Sequence, residues 1–264
     1  CGVIMQAIVK NPLADPYILG ISAGASLGAT SAVLLGIGAA LGENAVGVAA
    51  FLGAFAVSVG VLFIANLGGR ANAMKLLLGG MALSAVCSAF SSFIVYFAND
   101  KEGIQTITYW MMGSLAGARW DHMALIGGII ALSVLFFWTQ SRILNLMLLG
   151  DESAITLGTD LHPYRQAYLI VSALVVGFAV FAAGMIGFVG LVVPHIVRML
   201  VGTDHKRLIP VTALTGAIFL VVADGLCRVL IPHTELPIGI LISLVGAPAF
   251  IYLMVKRTYG FGGQ

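Results

Sequence analysis

Long apolar runs separated by short polar connections dominate this chain. Each crossing of a bilayer takes about 20 apolar residues, and lipid offers no partner for an open backbone, so runs of this kind predict helices. Eight are present, at approximately Ile18–Ala40, Ala45–Leu67, Leu76–Ala98, Met123–Trp138, Ala167–Ala183, Gly187–Val201, Val211–Ile231 and Leu236–Val255. A ninth piece, Cys1–Val9, has the character of the last turns of a helix that begins earlier. With no initiator Met and no signal peptide, the expectation is an N-terminally truncated chain, the alternative being a natural start at a processed Cys1. The span at Gly187–Val201 is short, carries Pro194, His195 and Arg198, and is joined to its predecessor only by Gly184–Gly187. It reads either as a short helix buried in a bundle, with Arg198 snorkelling to the near surface, or as a broken helix at a transport site.

Composition narrows the class. Of 264 residues 60% are apolar and only 9% charged, and the net charge is +2. Mean hydropathy is +1.05. So few charges cannot cover a soluble globule, which excludes a cytosolic enzyme, a nucleic-acid binder and a disordered chain. The expected fold class is all-α, a polytopic transmembrane helix bundle. Positive charge orients it. With Cys1–Val9 ending in the cytoplasm, eight crossings return the C-terminus to that side. Lys10, Arg70, Lys75, Arg142, Arg165, Arg198, Lys206, Arg207, Lys256 and Arg257 are then cytoplasmic, and only Lys101, Arg119 and Arg228 lie outside. Cys1, Cys87 and Cys227 have no paired spacing and read as reduced small hydrophobes.

Small residues mark the helix contacts. Gly20, Gly24 and Gly28, continued by Ala32 and Gly36, form one stripe at intervals of four, which predicts close backbone approach to a neighbouring helix. Gly80, Ser84, Ser88 and Ser92 form a second stripe, whose hydroxyls either bond back to the preceding turn or face a wet pathway. Asp224 and Arg228, four apart, can form a helix ion pair. His195 is a lesser candidate for a proton relay. There is no GxxxxGK[ST] loop, HExxH or GxSxG, and the His and Cys residues make no ligand-spaced cluster, so neither a cofactor nor catalysis is expected.

The connection between Trp138 and Ala167 is longer than two spans require. Leu144, Met147 and Leu148, then Ala154 and Leu157, recur at helical spacing, and Gly150 breaks the pattern into two short helices. Asp151, Glu152 and Ser153 suit the N-terminus of the second. Such a pair lies in the lipid interface or docks a soluble partner; Asp151, Glu152 and Asp160 would be repelled by anionic lipid, which favours a protein partner.

These segments resemble the FecCD-type permeases, the transmembrane subunits of ABC importers for iron–siderophore complexes, haem and cobalamin. NPLADPYILGISAGASLGA (Asn11–Ala29), YWMMGSLAGARW (Tyr109–Trp120), LLGDESAITLG (Leu148–Gly158), GFVGLVVPHIVRMLVGTDHKRLIP (Gly187–Pro210) and ADGLCRVLIPHTELPIGILISLVGAPAFIYLM (Ala223–Met254) match that family in order, over essentially the whole chain. The resemblance implies a ten-helix permease, of which the first helix and most of the second would be absent here, with residues 142–165 as a cytoplasmic coupling segment within one domain. It implies a homo- or heterodimer with a second permease subunit, two ATP-binding subunits that alone hydrolyse ATP, an extracytoplasmic substrate-binding protein, and residence in a bacterial plasma membrane, with no nucleic-acid partner. It assigns ATPase coupling to Leu149, Gly150, Asp151, Glu152, Ser153, Ala154, Leu157 and Gly158. Asn11 and Leu13 fall in a cytoplasmic gate, and a second gate segment falls near Asn72–Met74, which lacks the small hydroxyl residues of some relatives. Ser84, Ser88 and Ser92 fall on the path-lining helix, and Arg228 matches an arginine that docks the binding protein. The competing classes are an ion-coupled secondary transporter, which calls for mid-membrane carboxylates where only Asp224 is a candidate, and a membrane-embedded enzyme, which calls for a catalytic cluster.

Overall fold

A computed structural model describes residues 1–256 apart from Gly68, Pro232 and His233, and leaves the side chains of Ile18, Asp121, His122 and residues 252–256 undescribed. Arg257, counted above among the cytoplasmic charges, thus lies outside the described residues. Twelve α-helices and no strand occur among them. They are α1 (Gly2–Val9), α2 (Ile21–Leu35), α3 (Ala45–Asn66), α4 (Ala73–Phe97), α5 (Lys101–Met111), α6 (Trp120–Thr139), α7 (Ser141–Leu149), α8 (Asp151–Thr156), α9 (His162–Ala183), α10 (Val189–Val201), α11 (His205–Val229) and α12 (Ile238–Lys256). Short 3-10 turns at Pro16–Leu19 and Ala39–Asn44 precede α2 and α3.

Each of the eight apolar runs coincides with a helix. By length and composition α3, α4, α9 and α11 suffice to cross a bilayer, and α6 passes the same test only together with α7, from which it is bent by 58°. The helices from the first, sixth and eighth runs are shorter apolar pieces. The first is short because Asp15, whose side chain accepts from Tyr17 N at 2.9 Å, caps a 3-10 turn that uses up Pro16–Leu19. Helix α10 runs unbroken through Pro194, which is buried, so the short-helix reading describes this segment. Arg198 does not snorkel outward: its Nη2 donates to Gln6 Oε1 of α1 at 2.6 Å. That contact helps to seat α1 at the centre of the bundle, where Val3 through Val9 are all buried.

The tightest packing joins α2 to α3. A Cβ on Gly24 would strike the Gly53 carbonyl, one on Gly53 the Gly24 carbonyl, and one on Gly28 the Ala49 carbonyl. The two backbones therefore touch with no side chain between them, the arrangement open to small residues in lipid. Helix α3 packs its other side on α9, and α2 also packs on α4. Helix α5 had no counterpart in the hydrophobic pattern, because it is amphipathic and carries few apolar residues. Asp100 caps it by accepting from Gly103 N, and Ile107 is its buried anchor.

Gly28→Val should drive its branches into the Ala49 carbonyl and cost about 2–3 kcal/mol, the scale of overpacking. Gly127→Ala, at a helical site where an added Cβ meets nothing within 4 Å, should leave stability unchanged or slightly higher. Thermal unfolding midpoints in detergent measure both, and equal midpoints would remove the glycine contact as a source of stability.

Candidate functional site

The basic end of the bundle carries Lys10, Arg70, Arg142 and Arg165, and the helix pair α7–α8 lies across it. Gly150 separates the two with φ 104°, a value that L side chains rarely adopt. Leu144 and Met147 of α7 and Ala154 of α8 are fully buried against the bundle. Leu149, Ile155 and Leu157 point the other way, 64%, 61% and 66% exposed. Ala154 and Leu157 therefore do not share a face. The outward apolar surface is built by Leu157 with Leu149 and Ile155, and Ile155 was not read from the spacing. Gly158, with φ 79°, donates to the Ile155 carbonyl and closes the element.

The acids of α8 are used differently from a simple cap. Gly150 holds the N-cap position and offers no side chain. Asp151 pairs instead with Arg165 of α9, Nη2 to Oδ1 at 2.7 Å. Arg165 is almost wholly buried, its side chain 4% exposed, and its Nη1 donates to the Ala71 carbonyl at 3.2 Å. Glu152 is exposed and Ser153 half-buried. Beside this node Arg70 meets Asp160 at 3.1 Å. Asp160 also accepts from His162 N, and that backbone bond, ahead of the cations nearby, holds its pKa below the ordinary carboxylate value.

A second tether fixes α7. Asn145 Nδ2 donates to Asp204 Oδ1 at 2.8 Å, and Asn145 Oδ1 accepts from His205 N at 3.0 Å. Asp204 caps α11 through Lys206 N. The Asn145 bond first, and the Lys206 amide second, lower the Asp204 pKa. Its contribution is thus present above the usual carboxylate range and lost only as pH falls through the lowered value.

Farther up the bundle, α2, α4 and α5 enclose an open pocket of about 510 Å³. Ser26, Thr30, Ser88, Ser91, Ser92 and Thr108 give it a hydroxyl-rich wall. Ser88 and Ser92 are exposed, whereas Ser84 is half-buried and lies beside Gly20 rather than in the pocket. Asn11 and Leu13 sit in the loop after α1, where Asn11 Oδ1 accepts from Leu13 N at 2.9 Å. Pro16–Leu19, which follows, packs on α4. At the end opposite the basic one, Arg228 is engaged by two acids of its own chain, Asp224 at 2.8 Å and Glu235 at 3.5 Å. Among the described residues no three His, Cys, Asp or Glu side chains converge as a metal site would require.

Among the described residues, twelve α-helices carry an apolar-faced pair tethered across the basic end. The sequence profile of the FecCD transport family matches residues 1–256. The chain belongs to the FecCD transport family. The hemin transport system permease protein HmuU of Yersinia pestis is 39% identical over 260 residues, covering 97% of this chain and 77% of the relative. The cobalamin import system permease protein BtuC of Halobacterium salinarum is 41% identical over 256 residues, covering 97% and 68%. A solved metal-chelate type ABC transporter in an inward-facing conformation superposes with a TM-score of 0.88 at 33% identity, over 97% of this chain and 80% of that one. As a member of this family the chain is a transport permease of multi-pass helical architecture. Membership leaves no weight on the membrane-enzyme class.

Cysteines placed at Ser88 and Ser92, in a background without the native thiols, should react with water-soluble thiol reagents. A cysteine at Ser58, which is buried and whose hydroxyl bonds to the Ala54 carbonyl at 2.8 Å, should stay inert. Uniform inertness would mean that this face of α4 meets lipid.

Proposed function

We propose that this chain is the permease subunit of an ABC importer that carries a tetrapyrrole metal chelate of the haem or cobalamin class. Its partners are a second permease subunit, two ATP-binding subunits and an extracytoplasmic binding protein. The ATP-binding subunits perform the hydrolysis. The basic end faces the cytoplasm, following the excess of Lys and Arg there, so the C-terminus is cytoplasmic and the membrane is the bacterial plasma membrane.

The observation that carries this reading is the outward face of α7–α8. Leu149, Ile155 and Leu157 are exposed on an element that is otherwise held rigidly by Asp151–Arg165 and Asn145–Asp204. A rigid apolar knob with the exposed Glu152 at its edge, and no Lys or Arg of its own between Leu149 and Leu157, fits a protein groove better than an anionic lipid surface. The relatives named for hemin and cobalamin transport support the cargo class. The hydroxyl-lined pocket of α2, α4 and α5 is the part of the path where Ser88 and Ser92 meet cargo or water. The loop at Asn11 and Leu13 forms the gate at the basic end. Arg228 serves binding-protein docking as part of an Asp224–Arg228–Glu235 cluster, which gives the incoming surface acids as well as a cation to match. The ion-coupled alternative has little to stand on, since Asp224, its one candidate carboxylate, is tied to Arg228.

Leu157→Asp tests the reading. The side chain is exposed, so the permease should express and fold as before. A carboxylate in the partner's groove is buried without a partner and should cost several kcal/mol of assembly, on the order of 2–5. The ATP-binding subunit should then fail to co-purify, and substrate-stimulated ATP hydrolysis should disappear. Normal assembly and transport by the variant would return α7–α8 to the lipid interface.

A further inference from the structure

Arg165 joins three elements that the chain sequence keeps apart. It stands on the first turns of α9, its Nη2 bonds Asp151 on α8 at 2.7 Å, and its Nη1 bonds the Ala71 carbonyl at 3.2 Å. Ala71 immediately precedes Asn72, the N-cap of α4, whose side chain accepts from Lys75 N at 2.8 Å. Helix α4 in turn carries Ser88 and Ser92 into the hydroxyl-lined pocket. Two polar contacts and the peptide bond from Ala71 to Asn72 therefore link the exposed helix α8 to the foot of the pocket helix. The guanidinium is buried, and among the described residues its Nε has no hydrogen-bond partner, so its two polar attachments are to Asp151 and the Ala71 carbonyl. Arginine suits the task because its planar fork offers separate nitrogens in fixed directions to the two acceptors, whereas the three donors of a lysine radiate from one atom on a flexible stem.

We propose that Arg165 is the positioning residue that couples α8 to α4, so that displacement of α8 by a docked partner moves the foot of the pocket helix. This rests on the reading of α8 as the ATPase-docking element. The guanidinium holds α8, α9 and the start of α4 as one rigid piece. Loss of either arm leaves the partner able to push α8 without moving α4. The Arg70–Asp160 pair spans the same junction, but it is solvent-exposed and therefore contributes little.

The test uses the assembled complex in proteoliposomes and compares Asp151→Ala, Asp151→Asn, Arg165→Lys and Arg70→Ala. Arg165→Lys should still recruit the ATP-binding subunits and hydrolyse ATP, while transport per ATP falls about tenfold, within the usual span of coupling between sites; Asp151→Ala, which lies on the docking element itself, should lower the same ratio. Asp151→Asn keeps an acceptor oxygen toward Arg165 and should rescue most of the ratio, and Arg70→Ala should leave it unchanged. Wild-type ratios in both Asp151→Ala and Arg165→Lys overturn the proposal. Hydrogen exchange supplies a readout independent of transport. Asp151→Ala should speed exchange in α8 and also at residues 72–76, whereas acceleration confined to α8 overturns the link to α4. If the unsubstituted chain recruits no ATP-binding subunit, the docking reading fails, and exchange measured on the permease alone still decides whether Arg165 joins α8 to α4.

Discussion

Backbone contact between α2 and α3 is the constraint on which the rest of the architecture hangs. In lipid the aliphatic surface of a helix gains little by touching another helix, so close approach and van der Waals fit must hold a bundle together. Gly24, Gly28 and Gly53 supply that approach, each presenting a surface where a single methyl would collide with a carbonyl. Once α2 and α3 are fixed, α9 and α4 take their places on either side, and α1 is enclosed at the centre. The pocket between α2, α4 and α5 and the junction under Arg165 both follow from that placement, since α4 contributes to each.

Polar groups then work at the ends of the bundle, where water can meet them, and at a few buried points where they are paired. Arg198 on Gln6 and Arg165 on Asp151 and Ala71 are two such cases. Both tie a helix to a neighbour that apolar packing alone would leave free to slide. The exposed pairs Arg70–Asp160, Arg119–Glu43 and Arg228–Asp224 decorate the two faces. Two mechanical layers result: a glycine-tight interior that does not yield, and end segments whose positions depend on single polar contacts.

Much of this was legible in the sequence because apolar runs and small-residue stripes are local patterns. The helix at each run, the break at Gly150 and the tight α2 face all follow from spacing alone. What stayed hidden depends on partners distant in the chain. Arg165 read as one more cytoplasmic charge, since nothing at its own position announces Asp151 fourteen residues earlier or Ala71 far upstream. Ala154 and Leu157 share a helical spacing, yet the helix ends at Thr156, so the periodicity stops before Leu157 and the two residues diverge. Helix α5 escaped because its signal is a cap and an amphipathic face, at Asp100 and Ile107, rather than a long apolar run.

The driving force for uptake is the most direct measure of the whole account. Vesicles holding the permease with its ATP-binding subunits, given a loaded binding protein and a labelled haem or cobalamin outside, should accumulate label only with ATP inside. Dissipating the proton and sodium gradients should leave that accumulation intact. Uptake that persists without ATP and collapses with the gradients would contradict the account and make the chain an ion-coupled carrier.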